Sequence, residues 1–254
     1  MTAEFATRMR WGEAPELIGP RHAYRVRRLA RLFQQAVPRG HVLDAGCGAG
    51  TLTELLARRG YRVTAVEASP EFVDYVRERV ARAGLSSRVE VRLGDLERAD
   101  LPSEAFDGAV CGEVLEHLAD DSAAARGIAG ALKPGGALAL SVPARPDRYS
   151  WIDRWAGHYR RYDEEALRSV LVQAGLSVER LIQWGFPVMA LYERFVQRPG
   201  LARAAGGRPL GRAIGRAARS APVERVLQTL FSVDRLFEGR VADGPGFFAL
   251  ARKP

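Results

Sequence analysis

The sequence predicts an α/β protein built on a mostly parallel sheet with helices on both faces. Three observations carry this. From His41 onward, short apolar runs rich in Val, Ala and Leu alternate with stretches of helical period. Strand and helix alternating in this way place successive strands side by side and parallel, with each helix crossing over a sheet face. Finally, Gly46, Gly48 and Gly50 stand where the first such strand hands over to the first such helix.

The elements follow in order. Before residue 40, R-H-A-Y-R-V-R-R-L-A-R-L-F-Q-Q-A-V predicts a basic amphipathic helix burying Tyr24, Leu29, Leu32 and Phe33. H-V-L-D-A reads as a strand, and T-L-T-E-L-L-A-R-R-G as a helix closed by Gly60. Y-R-V-T-A-V-E is a second strand, followed by a helix that begins at Ser69 and Pro70 and closes at Gly84. R-V-E-V-R-L, F-D-G-A-V-C-G and A-L-A-L-S-V supply the third, fourth and fifth strands, the last set up by a K-P-G-G turn at 133–136. Asp163, Glu164 and Glu165 then suit the N-cap and acidic first turn of a helix. L-S-V-E-R-L-I-Q-W and P-G-F-F-A-L-A-R-K-P read as the final two strands. Between these two, residues 186–244 offer one helix with Val188, Leu191, Tyr192 and Phe195 on a face. A second follows Pro222 with Val223, Val226, Leu227, Leu230 and Phe231, and P-G-L-A-R-A-A-G-G-R-P links the two.

Composition narrows the class. The 254 residues, 47% hydrophobic, suit one large domain without an internal repeat. No apolar run reaches the roughly 18–20 residues that span a bilayer, and the start lacks the apolar core of a secretory signal. Cys47 and Cys111 give neither a disulfide framework nor a metal-binding spacing, so a reducing, cytoplasmic setting is expected. The net charge of +8 invites a nucleic-acid or membrane reading. Yet Lys133 and Lys253 are the only lysines and asparagine is absent, a bias that raises the charge without any partner. Nucleic acid is not expected.

The glycine loop V-L-D-A-G-C-G-A-G-T is spaced G-x-G-x-G, and the third glycine of a dinucleotide fingerprint would fall on Thr51. Glu67 closes the next strand, where a carboxylate can accept hydrogen bonds from two ribose hydroxyls. G-D-L, with Asp95 and Leu96, follows the third strand. F-D-G-A-V-C-G-E-V-L-E-H-L and L-K-P-G-G-A-L-A-L-S-V-P continue the series. Together these resemble the class I S-adenosylmethionine-dependent methyltransferases, in their small-molecule and quinone-type branch, over about 41–185 and the terminal strand. The resemblance implies a Rossmann-like, doubly wound, mostly parallel seven-stranded sheet with an antiparallel last strand. It divides a single domain, 1–254, into an N-terminal helical lid (1–40), a cofactor-binding core (41–185), a helical insertion (186–244) and the last strand (245–254).

The same resemblance implies S-adenosylmethionine as cofactor and S-adenosylhomocysteine as product. Asp44, Gly46, Cys47, Gly48 and Gly50 would hold the methionine part, Glu67 with Ala68 beside it the ribose, and Asp95 and Leu96 the adenine. Glu113 would border the sulfonium. Asp44 can instead orient the glycine loop. His117, within V-L-E-H-L, is read as structural, and Cys47 and Cys111 as small strand-end fillers.

Methyl transfer leaves the protein to align the acceptor and, for some acceptors, to remove a proton. Residues 144–163 should border the pocket. His158 is the candidate general base, because imidazole titrates near neutral pH. Tyr24, from the N-terminal helix, and Tyr149, Trp151, Trp155, Tyr159, Arg160, Arg161 and Tyr162 are candidates for the acceptor. A competing reading makes His158 part of the loop that enters the helix, with Arg160 or Arg161 paired to the acids at 163–165.

Without asparagine, neither an N-P-P-Y motif nor the aspartate-aspartate-asparagine metal site of catechol-type enzymes can be built, and no P-C nucleophile is present. No metal and no magnesium requirement is expected. The acceptor is a small or lipid-like molecule methylated at O, N or C. The alternatives are a non-methylating cofactor binder, cyclising or regulatory, and an RNA methyltransferase suggested by charge alone. The 186–244 insertion can roof the pocket, form a dimer or lie on an anionic membrane. Phe186, Val188, Met189 and the 223–237 stripe are apolar and flanked by Arg194, Arg198, Arg203, Arg212, Arg216, Arg219 and Arg225. Ordinary packed helices are the preferred reading, and no oligomeric state follows.

Overall fold

The structure is a computed structural model that describes residues 19–98, 101–197, 221–239 and 243–254. Helix α1 (Pro20–Ala36) opens the described chain and buries Tyr24, Leu29, Leu32 and Phe33, as its sequence period requires. It lies directly on the sheet, because β4 (Phe106–Gly112) carries Gly108 beneath it. A Cβ at Gly108 would stand 2.7 Å from the Phe33 ring and 2.8 Å from Val37.

The sheet then alternates with helices: β1 (His41–Ala45), α2 (Thr51–Arg58), β2 (Arg62–Glu67), α3 (Pro70–Arg82) and β3 (Val89–Leu93). After β4 come α4 (Asp121–Ala131), β5 (Leu132–Pro143), the short α5 (Trp151–Trp155), α6 (Glu164–Gln173) and β6 (Ser177–Trp184). The insertion contributes α7 (Val188–Tyr192) and α8 (Ala221–Ser232), and β7 (Gly246–Arg252) ends the fold.

The seven strands lie in the order β3-β2-β1-β4-β5-β7-β6. β1 to β5 pair in parallel, and β7 inserts antiparallel between β5 and β6. The order reverses between β1 and β4, which opens a crevice at the carboxyl ends of those strands. The K-P-G-G segment does not precede β5; it bulges out of it. Phe106 faces Leu132 and Gly108 faces Ala137, so residues 133–136 have no strand-pairing partners on β4. Gly135 takes φ +76°, and its N–H donates to the Lys253 carbonyl at 3.0 Å.

One face of the sheet packs Leu115, Ile128, Leu140, Tyr162, Leu167 and Leu171 beneath α4 and α6. The other packs Leu29, Phe33, Tyr61, Trp184, Phe231 and Phe248 beneath α1 and the insertion. The insertion is tied to α1 and to itself. Buried Asp234 accepts from the Val188 and Met189 amides at 2.7 and 2.9 Å, which caps α7. Gln228 donates to the Pro20 carbonyl at 2.9 Å, and Arg28 pairs with Glu238 at 2.7 Å.

The apolar faces read for these two helices are not buried as read. Of the five residues expected on α8, Phe231 is fully buried and Leu227 partly, while Val223, Val226 and Leu230 are exposed. Leu191 and Phe195 also face outward. The side of α8 that meets α1 and α7 carries Phe231 and Leu227. The 1–18 part of the expected lid lies outside the described residues, as do the whole of the expected linker and Arg198, Arg203, Arg212, Arg216 and Arg219. The Arg225 side chain is likewise outside what is described. Among the described residues no helix is long and apolar enough to cross a membrane.

Candidate active site

The glycine loop sits at the carboxyl end of β1, at the point where the strand order reverses. Gly46, Gly48 and Gly50 all have left-handed backbones, φ +74°, +49° and +72°. Two of them are also sterically required: a Cβ would lie 2.6 Å from Val114 at Gly46 and 2.9 Å from Val76 at Gly50. Gly48 differs, since a Cβ there meets nothing within 4 Å, so this backbone faces open space that a ligand can enter.

Asp44 and Cys47 support this loop from behind. Asp44 is buried and accepts from Thr53 Oγ1 at 2.5 Å, pinning the first turn of α2 to β1. Burial pushes its carboxyl up to about 7, against the opposing Thr53 hydrogen bond. The loop-orienting role is therefore the one its contacts display. Cys47 is buried, its amide donates to the Val66 carbonyl at 3.0 Å, and burial raises its thiol.

Glu67 ends β2 and organises the loop from the other side. Its Oε2 accepts from the Gly48 amide at 2.9 Å, and Oε1 accepts from Ala68 and Ser69 at 2.9 and 3.1 Å. The carboxylate is thus fixed beside the open backbone of Gly48, a fit for a ligand carrying hydroxyl groups. Asp95 is exposed, with Glu97 donating its amide to Oδ1 at 3.0 Å, while Leu96 is buried next to it. This is a carboxylate and an apolar side chain at the end of β3, on the same edge as Glu67.

At the end of β4, Glu113 adopts φ +58°, rare for a residue with a side chain. Arg25 of α1 pairs with its Oε2 at 2.8 Å, and Arg21 approaches at 3.9 Å. Burial would raise the Glu113 carboxyl, but these two guanidinium groups prevail and hold it down at about 2. His22 lies on the same helix face: Arg25 donates to its Nδ1 at 3.0 Å, which places the remaining proton on Nε2. Burial and Arg25 lower His22 to about 3. Sequence reasoning missed Arg21, His22 and Arg25. Their signal was three polar side chains within two turns, alongside the buried Tyr24.

Tyr24 itself is buried between Trp184 and Phe231, with ring centroids at 6.0 and 5.9 Å. Glu116, in the 3-10 turn after β4, is completely buried. Neither of its oxygens has a hydrogen-bond partner outside its own residue among the described residues. Burial, then the charge of Glu113, drives its carboxyl well above the usual range.

The segment after β5 is organised by Asp153. This buried carboxylate accepts from Arg161 Nε at 2.6 Å, from the Ser150 amide at 2.8 Å and from His158 Nδ1 at 3.2 Å. Arg161 also donates to the Ala144 carbonyl at 3.1 Å. Arg160 pairs with Asp121 at 3.0 Å and donates to the Ala119 carbonyl at 2.7 Å. Tyr162 is buried and donates to Asp121 at 2.6 Å. Neither arginine pairs with the acids at 163–165: Asp163 N-caps α6 through the Ala166 amide. Tyr149 donates to the His158 carbonyl at 2.6 Å, Tyr159 and Trp151 are exposed, and Trp155 is partly buried.

His158 brings its ring to the turn after β4, where the Tyr159 amide also donates to the Glu116 carbonyl at 2.7 Å. Its ring meets the His117 ring edge-on at 4.6 Å, and ligating atoms of Glu116, His117 and His158 all lie within 4.8 Å of one another. Burial and the neighbouring His158 lower His117 to about 4.

A family model described as a methyltransferase domain matches residues 43–140. The ubiquinone biosynthesis O-methyltransferase of Xanthomonas axonopodis pv. citri is 40% identical over 187 residues, 67% of this chain and 77% of that protein. Its namesake in Xanthomonas campestris pv. campestris (strain B100) is 40% identical over 137 residues, and the match spans 56% of that protein's length. Among solved structures, the cyclase SpnF superposes with a TM-score of 0.63 at 24% identity, over 89% of this chain and 80% of that one. The N-methyltransferase NodS from Bradyrhizobium japonicum, solved with S-adenosylhomocysteine, gives a TM-score of 0.58 at 21% identity over 93% and 89%.

Proposed function

Because the chain belongs to the class I S-adenosylmethionine-dependent methyltransferases of the small-molecule type, we propose that it methylates a hydroxyl oxygen of an aromatic, quinol-like acceptor. One observation carries the choice of oxygen: His158, oriented by Asp153, converges with Glu116 and His117 at the carboxyl ends of β4 and β5. An aromatic hydroxyl must lose its proton to become a good nucleophile, and this cluster is where a proton can be taken. The relatives at 40% identity, named as O-methyltransferases of ubiquinone biosynthesis, support the same acceptor class.

S-adenosylmethionine supplies an electrophilic methyl group on a sulfonium. The residues proposed to hold it are the Gly46–Gly50 loop, whose open point is Gly48, with Glu67 and Ala68 for the ribose and Asp95 and Leu96 for the adenine. Asp44 and Cys47 act by shaping the loop. Glu113, kept ionised by Arg25 and Arg21, anchors α1 to the end of β4, and its backbone there is proposed to border the sulfonium. Asp153 fixes the His158 ring so that Nε2 is the nitrogen left for the acceptor. Arg161, Arg160 and Tyr162 hold the loop that carries His158 and are proposed as positioning residues. Tyr149, Trp151, Trp155 and Tyr159 remain the proposed acceptor-side aromatics, and Tyr24 supports the floor beneath α1.

The test is His158→Ala assayed with labelled S-adenosylmethionine and a catechol. The reading expects at least a tenfold loss of turnover with unchanged affinity for S-adenosylhomocysteine. Full turnover with normal acceptor affinity would remove His158 from the chemistry.

The described part of the insertion packs on α1 yet leaves Leu191, Phe195, Val226 and Leu230 exposed. A peripheral contact with an anionic membrane is a second proposal for that surface. Co-sedimentation with vesicles should then increase with the fraction of anionic lipid.

A further inference from the structure

We propose that a cavity between α1, β6 and the turn after α8 (Val233–Leu236) binds a soluble phosphomonoester with a small apolar group. Its volume of about 260 Å³ is below the roughly 300–1,000 Å³ of pockets for drug-sized ligands, so it suits a compact molecule. Four arginines line it, Arg28, Arg31, Arg180 and Arg235, together with the apolar side chains of Leu32, Ile182 and Phe248.

Two sequence periods bring these groups together. Arg28, Arg31 and Leu32 stand at i, i+3 and i+4, one face of α1. Arg180 and Ile182 are two apart on β6 and share the sheet face that α1 covers, and Phe248 of β7 lies opposite Ile182. Arg235 arrives from the turn after α8, so the cationic lining is drawn from three separate elements.

The charges of this lining are unbalanced. Glu238 is the one acid among the lining residues, and it is already engaged by Arg28 at 2.7 Å. Among the described residues, no hydrogen bond or ion pair engages the guanidinium groups of Arg31, Arg180 or Arg235, and the buried Arg28 Nε has no acceptor. Like charges held in one cleft repel each other and concentrate a positive potential there, which an anion relieves. Arg31, Arg180 and Arg235 are exposed, so a ligand reaches them from solvent.

The arrangement also selects the anion. Guanidinium forks approaching from three elements match the three terminal oxygens of a phosphoryl group better than the two of a planar carboxylate. The apolar side chains of the lining are matched by the ester group, which inorganic phosphate lacks. The strand order sets β6 four places from β1, roughly 19 Å at about 4.8 Å per strand, so this cavity is no part of the glycine-loop site. The binding does not depend on the O-methylation reading.

The full chain is titrated calorimetrically at low ionic strength with phenyl phosphate, inorganic phosphate, benzoate and phosphatidylglycerol vesicles. The proposal expects one phenyl phosphate per chain, bound at least tenfold more tightly than inorganic phosphate or benzoate. Arg180→Ala and Arg235→Ala should each weaken phenyl phosphate at least tenfold and leave S-adenosylhomocysteine affinity unchanged. No saturable binding of phenyl phosphate by the wild type, or no preference for it over phosphate and benzoate, would overturn the proposal. Equal binding by the wild type and both variants would place the ligand elsewhere and overturn it too. Binding of vesicles alone, lost in both variants, would assign the arginines to a lipid headgroup and refute the soluble ligand. The wild-type selectivity stands as a test even if a variant fails to fold.

Discussion

Asp153 accepts a hydrogen bond from His158 Nδ1 at 3.2 Å while holding Arg161 at 2.6 Å, so one buried carboxylate sets both the loop and its imidazole. Asp153→Ala should leave the buried Arg161 guanidinium unpaired and cost about 3 kcal/mol in urea unfolding. Its methyl transfer should fall with that of His158→Ala. An equally stable, equally active variant would deny Asp153 this position.

Glycine substitutions should separate backbone need from open space. Gly46→Ala combines φ +74° with a Cβ 2.6 Å from Val114 and should cost about 2 kcal/mol or more. Gly60→Ala has φ +95° but meets nothing within 4 Å, so only the backbone penalty of about 1 kcal/mol applies. Thermal melts of the two variants give the ranking directly.

Glu67 binds the amides of Gly48, Ala68 and Ser69. Glu67→Ala should therefore lower S-adenosylhomocysteine affinity at least tenfold, about 1.4 kcal/mol, in calorimetric titration. Glu67→Gln keeps one acceptor oxygen and should fall between that and the wild type. Unchanged affinity in both would remove Glu67 from the cofactor site.

Asp44 gives the ligand-free protein a defined pH dependence. Burial raises its carboxyl from 3.8 to about 7, so between these values the folded state binds more protons than the unfolded chain. Stability should fall as pH rises from about 4 to about 7 and change no further above that on this group's account. The total is on the order of a few kcal/mol. Asp44→Asn should flatten that slope in urea titrations, and a slope of the same size in the variant would place its origin elsewhere.

The sheet was legible because its signals are local. Apolar runs, Gly60 and Gly84 as helix ends, and Ser69 with Pro70 as a helix start each act within a few residues. Asp163 as an N-cap was legible for the same reason. Long-range pairing was not. Arg160 and Arg161 stand next to three acids in sequence, yet they pair with Asp121 and Asp153 because those carboxylates are buried beneath the loop. The link from Arg25 to Glu113 depends on α1 crossing the end of β4, which no local pattern states. The same holds for Glu116 and His158: V-L-E-H-L reads as a structural turn until the loop after β5 brings a second imidazole against it.

Transfer of a labelled methyl group from S-adenosylmethionine to a panel of catechols and quinols tests the central claim most directly, with product atoms assigned by mass spectrometry and NMR. The account predicts a mono-O-methyl product whose formation falls at least tenfold in His158→Ala and in Glu116→Gln. Tight S-adenosylhomocysteine binding with no methylated hydroxyl from any acceptor in the panel would contradict it.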